Sequence, residues 1–279
     1  MKQAYQAFEA EDWARAADLL EEAALADPDS PDGAALWFDA ALAHKFRRDW
    51  PRAYALGKEA AARVTRGQEE PAFWNLGIAA TILRDWATAR DAWTGYGVTL
   101  QDGEGEIVED FGMTAIRIGT PDGQEVVWGQ RLCPARARVL SVPFDPARRY
   151  GEVVVHDGAP NGERIVDGRH YPVFDELVCF EKSDLATLSV TVTAAEPDDV
   201  DALLSAFQDR DLGAEVLGSG VMLCKCCSEG SPAVQRFVSR EASQTVLLAA
   251  PADEASGLLD AWRAASADAR AWENLHTAG

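Results

Sequence analysis

The most chemically pointed stretch of this 279-residue chain is Cys224-Lys225-Cys226-Cys227. Cys224 and Cys227 stand in C-x-x-C spacing, which suits two thiolates on one zinc ion or a redox pair. A closed zinc site takes four ligands. No second C-x-x-C and no H-x3-H exists, so the remaining ligands must come from Cys226, His156, His170, Cys133 or Cys179. Thioredoxin-like chemistry needs the motif at the opening of a helix, whereas Ser228-Glu229-Gly230-Ser231-Pro232 reads as a loop. Idle or buried thiols rank first for this cluster, zinc second and redox third. No other cofactor is expected.

Other chemistry is sparse. His156 precedes the Asp157-Gly158 turn and His170 lies in Arg169-His170-Tyr171, contexts that suit surface or hydrogen-bonded histidines. Ser141 lies in a strand-like run without a nucleophile-elbow pattern. Arg148-Arg149, after Asp145-Pro146, could pair with a carboxylate ligand, but a solvated turn is the plainer reading. No Gly-rich phosphate loop or paired-carboxylate motif points to a nucleotide enzyme or hydrolase.

The formal charge is −20, from 46 acidic and 26 basic residues, and it falls as −5, −7 and −8 over residues 1–100, 101–185 and 186–279. Such a distributed field repels phosphate backbones and argues against nucleic acid. It suits a protein or peptide partner. No hydrophobic run reaches the ~20 residues of a membrane span, and Met1-Lys2-Gln3 leads into an amphipathic pattern rather than a signal peptide. The expectation is a cytoplasmic protein without membrane contact.

The elements that would carry a site come next. Asp12-Trp13-Ala14-Arg15-Ala16, Asp49-Trp50-Pro51-Arg52-Ala53 and Asp85-Trp86-Ala87-Thr88-Ala89 are near-copies starting 37 and 36 residues apart. A period of this size marks a repeat architecture. Each Asp is placed to cap a helix and to meet the positive end of its dipole. Pro51 is tolerated only near a helix start. The three tryptophans are read as core. Residues 34–47 and 71–84 supply the helices that precede the second and third copies.

These residues resemble a tetratricopeptide repeat array. Trp37 matches the first position of repeat two, Leu76-Gly77 the Leu-Gly pair of repeat three, and Ala16, Ala53 and Ala89 the most diagnostic Ala. Leu20 and Trp93, Ala23 and Ala60, and Pro28 occupy later positions. Gly57, where a large residue is usual, and the long intervals depart from the pattern. The resemblance implies a concave groove lined by Tyr5, Phe8, Phe38, Leu42, Lys45, Trp74 and Ile78. A partner segment or the chain's own downstream domain would cover it.

Asp102-Gly103-Glu104-Gly105-Glu106 marks a boundary, beyond which hydrophobicity alternates with period two. Short strands are expected over residues 113–118, 125–129, 138–142, 152–156, 163–166 and 173–180, forming a small antiparallel β-barrel or curled sheet. Residues 186–279 read as strand, helix, strands and a last helix running to about Leu275, an α/β sandwich for which a ferredoxin-like arrangement is one candidate. The whole is a multidomain α + β chain: an α-helical repeat solenoid at 1–100, a small β domain at 101–185 and an α/β domain at 186–279. The expected function is a non-enzymatic interaction scaffold using the groove. The alternatives are an acidic inhibitor of a basic partner and a metal- or thiol-dependent protein using Cys224–Cys227.

Overall fold

The computed structural model describes residues 1–28, 30, 32–166, 168–217 and 243–278. Six helices come first: α1 (Lys2–Glu9), α2 (Trp13–Ala26), α3 (Gly33–Phe46), α4 (Trp50–Ala61), α5 (Pro71–Ile82) and α6 (Trp86–Tyr96). Each repeated Trp is the first residue of a second helix. The Asp before it accepts the backbone N–H three residues on: Asp12 from Arg15 at 3.3 Å, Asp49 from Arg52 at 3.2 Å and Asp85 from Thr88 at 3.1 Å. The residue before each Asp is left-handed: Glu11 at φ 56°, Arg48 at 60° and Arg84 at 60°. The Asp N–H then reaches back to Ala7, His44 and Ala80 carbonyls at 2.9, 3.0 and 2.9 Å. The three corners are built alike, as a helical repeat requires.

The tryptophans differ from expectation. Trp13, Trp50 and Trp86 are partly exposed rather than core. At a corner, a ring covers the turn instead of entering the interior; Trp13 lies 4.4 Å from Phe46 and 5.1 Å edge-on from Phe8. The interior is filled by small residues: Ala16, Ala17, Leu20, Ala24, Ala40, Ala41 and Ala60 are buried. Helices α5 and α6 approach closely at Gly77, where a Cβ would lie 2.7 Å from the Trp93 ring, and at Gly95, where one would lie 2.6 Å from the Phe73 ring.

By its contacts the chain divides into two units: Met1–Asp110 with Leu132–Ala135, and Phe111–Arg131 with Arg136–Gly279. The first unit closes after α6 without a further helix. Gly97 ends α6 in the left-handed region at φ 119°. The Arg90 guanidinium then donates to the carbonyls of Gly105 at 2.9 Å and Gln101 at 3.0 Å, drawing the acidic join back onto α6. Glu109 N–H donates to the Leu132 carbonyl at 2.9 Å, and Ile107 and Cys133 are fully buried.

The second unit holds two sheets. Strands β1 (Met113–Thr120), β2 (Gly123–Cys133), β3 (Arg136–Val139), β4 (Val153–Val166) and β5 (Arg169–Glu181) form a curled five-stranded sheet. Pairs β1–β2, β3–β4 and β4–β5 are antiparallel, but β1 runs parallel to β5, with Ile116 opposite Phe174. The sheet is therefore mixed, where an antiparallel one was expected. Residues 152–156 and 163–166 belong to one strand, β4. The turn-like Asp157-Gly158 and Pro160-Asn161-Gly162 between them are absorbed as register shifts against β5, which a bulge permits.

The second sheet comprises β6 (Thr187–Ala194), β7 (Gly213–Val216), β8 (Ser243–Ala249) and β9 (Arg270–Thr277), in the order β7-β8-β6-β9. Helices α7 (Pro197–Gln208) and α8 (Ala252–Ala264) pack on one face through Leu203, Phe207, Leu259 and Trp262 against Val190, Val246 and Leu248. The alternate residues Leu247 and Ala249 face Val142, Phe144 and Tyr150 instead. The last helix is shorter than expected. It stops at Ala264, and Trp272 pairs with Val192 in an edge strand. The alternation of β9 is broken by Asn274 at φ 59°, which hides a strand from pattern reading.

Candidate functional site

The groove residues fall into two groups. Tyr5 is 39% exposed and its hydroxyl donates to Asp39 at 2.8 Å; burial, and then Asp39, push the phenol up to about 12. Burial raises the Asp39 carboxyl in turn, against the Tyr5 hydrogen bond. Phe8, Phe38 and Leu42 are partly buried, and Trp74 packs edge-on to Trp93 at 5.1 Å and Tyr96 at 4.8 Å. Lys45 is only 6% exposed and donates to Asn75 Oδ1 at 3.1 Å, while Ile78 is fully buried. Tyr5, Phe8, Phe38, Leu42 and Trp74 are therefore at least partly exposed. Lys45 is spent on joining α3 to α5.

His44, a buried histidine of α3, centres a polar group that sequence reading missed. His44 Nε2 meets Glu21 Oε2 at 3.0 Å, and Arg52 Nε donates to the same oxygen at 2.9 Å. His44 Nδ1 is 3.5 Å from Asp49, a corner residue. Burial lowers the His44 pKa, with Asp49 opposing. The group links α2, α3 and α4. Its only sequence signal is a histidine in the last turn of a largely apolar helix.

Of the proposed metal ligands, Cys224, Cys226 and Cys227 lie outside the described residues. His170 is exposed and meets Glu163 at 2.8 Å. His156 is fully buried; its Nδ1 lies 2.7 Å from the Asp157 carbonyl, its Nε2 has no partner among the described residues, and its ring lies 4.9 Å from Phe174. The two histidines do not come together. His170 pairs across from Ile165, so nine positions of β4 separate it from His156, roughly 30 Å along an extended strand. One ion holds ligands about 2 Å from its centre. Among the described residues neither Cys133, which is buried, nor Cys179, which is exposed, is in a disulfide. Among the described residues no cluster of three His, Cys, Asp or Glu side chains could hold a metal ion.

Arg148 sits in a buried network rather than a solvated turn. Its Nε donates to Glu152 at 2.9 Å, and its two terminal nitrogens each donate to Glu176 at 2.8 Å. It also donates to the Gly119 carbonyl at 2.7 Å, and the Gly119 N–H donates to Glu176 at 2.9 Å. The carboxylates satisfy this arginine from within the chain.

No helix among the described residues is long and apolar enough to cross a membrane. No protein-family model matches the chain, and no curated protein does. One solved structure is similar to it, a hypothetical protein from Neisseria gonorrhoeae. The identity is 12%, over 58% of this chain and 91% of the other, with a TM-score of 0.22. A likeness that slight assigns neither fold nor activity.

Proposed function

We propose that the chain is a non-enzymatic protein-interaction scaffold whose partner-binding surface is the first-helix face of a tetratricopeptide-like array. The three like-built corners carry this reading. Equivalent corners stack α1, α3 and α5 as successive first helices, and their partly exposed Tyr5, Phe38, Leu42 and Trp74 then share one strip. Aromatic and aliphatic anchors of this kind dominate protein recognition energies. In the second unit, the strand order β7-β8-β6-β9 with a helix after β6 and after β8 supports a ferredoxin-like sandwich. The return of β5 to β1 supports a small barrel beside it. Such modules extend a scaffold without specifying an activity.

Co-purification from cell extract with the full chain as bait tests the proposal. A defined set of proteins is expected on the wild type and is lost from a Phe38→Ala/Leu42→Ala variant of unchanged circular dichroism. An unchanged set would remove the strip as the binding surface.

A further inference from the structure

Arg117, Arg148 and Arg270 of the second unit each meet a carboxylate, while Arg136 is fully buried with its guanidinium 5.2 Å from the Phe180 ring. Arg117 meets Asp175, Arg148 meets Glu152 and Glu176, and Arg270 meets Asp199. Arg164 is built differently. Its guanidinium lies over the Trp128 ring at 4.6 Å. Tyr171, its cross-strand partner on β5, packs edge-on to Trp128 at 4.9 Å. The Trp128 backbone is held in turn from β3's end: its main-chain N–H donates to Ser141 Oγ at 3.0 Å, and its carbonyl accepts from the Leu140 N–H at 2.8 Å.

Among the described residues the Arg164 guanidinium has no hydrogen bond and no ion pair. Glu215 of β7 accepts the Val142 N–H at 3.1 Å and acts on Arg164 electrostatically, with no hydrogen bond or ion pair between the two. Burial lowers the Arg164 pKa, and Glu215 pulls it back up. Burial raises the Glu215 carboxyl. A guanidinium carries five N–H donors in a fixed fork. Removing it partly from water without an acceptor is costly, and a bidentate oxyanion offsets that cost.

We propose that Arg164, backed by Trp128 and Tyr171, is a binding site for a monocarboxylate bearing an apolar body. The fork takes the carboxylate and the two aromatic rings take the body. Charge sets the limit of one negative group. Glu215 lies close enough to act on both Arg164 and Glu125, so a dianion meets repulsion that a monoanion escapes in part. The site is independent of the helical strip.

Phenylacetate is the probe, with acetate, inorganic phosphate and sodium chloride at matched ionic strength as comparisons. The readout is the Trp128 indole N–H signal in nitrogen-15 spectra of the full chain, assigned by loss in Trp128→Phe. Phenylacetate is expected to move this signal saturably, acetate to need at least several times the concentration, and sodium chloride to leave it in place. Arg164→Lys, which keeps the charge but loses the fork, weakens binding about fivefold or more. Arg164→Met abolishes it with the other indole signals unmoved. No saturable movement with phenylacetate, or equal binding by the lysine variant, overturns the site. Tighter binding of phosphate overturns the monocarboxylate assignment, and equal binding of acetate overturns the apolar body.

Discussion

In α2, α4 and α6 a carboxylate holds a backbone N–H three residues along the chain. In the β1–β5 sheet, Arg148 reaches 28 residues to Glu176 and 29 to Gly119. The first kind of contact depends on a local pentapeptide and can be repeated wherever that pentapeptide is written. The second forms only after distant strands have met, and its charges are buried once it forms. The helical unit thus repeats a local contact beside long-range ties such as Lys45 to Asn75, whereas Arg148 gathers two carboxylates into one buried network that is costly to break.

The largest effect that would sharpen this contrast is expected at Arg148. Arg148→Met leaves Glu152 and Glu176 buried without their partner, and breaking such a pair costs about 3–5 kcal/mol. Denaturant unfolding should show the loss, and a change below about 1 kcal/mol would place the network outside the stabilising core.

Next comes the pH dependence of His156. Burial drives its pKa down to about 4 from an ordinary 6.5, with the Asp157 carbonyl opposing. The unfolded chain therefore binds the extra proton first as pH falls below 6.5. Stability is full above that value and declines down to about pH 4, by on the order of 3 kcal/mol. His156→Gln should flatten that part of a stability profile, and an unchanged slope would show that other groups set it.

Gly77→Ala should cost about 1–3 kcal/mol through overpacking, because its Cβ would fall 2.7 Å from the Trp93 ring. A melting temperature equal to wild type would mean that α5 and α6 separate freely.

The smallest effects belong to the corners. Removing a capping Asp costs about 1 kcal/mol. Asp85→Ala should exceed Asp12→Ala, because Asp85 also accepts from Tyr54 at 2.6 Å and from the Thr88 hydroxyl at 2.8 Å. Those bonds, Tyr54 first, hold its carboxyl below the ordinary value. Its contribution is complete above the usual carboxylate range and fades as pH falls through the lowered one. Equal losses at the two sites would remove Tyr54 from the corner.

The same contrast explains what can be read from residue order alone. The corners are visible because Asp, Trp and Ala recur at fixed offsets and each acts on its own helix. The β1–β2 hairpin is visible because Thr120-Pro121-Asp122-Gly123 is a local turn signal, and its strands flank it as expected. Strand β9 is not, since its alternation fails at Asn274 and its pairing with β6 lies about 80 residues away in sequence. The residues expected to line a groove are half legible. Helical spacing puts Phe38 and Trp74 on one face, but it cannot tell that Lys45 turns onto Asn75 or that Ile78 is sealed. Arg164 carries no motif; only the strand pairing that sets it against Tyr171, beside Trp128, makes it conspicuous.

Amide hydrogen exchange at Arg15, Arg52 and Thr88 tests the repeat most directly, because these are the N–H groups that the three corner aspartates hold. Each Asp→Ala variant should speed exchange about fivefold or more at its own corner and leave the other two unchanged. Rates that ignore the substitution, or that rise equally at all three corners, would contradict the account.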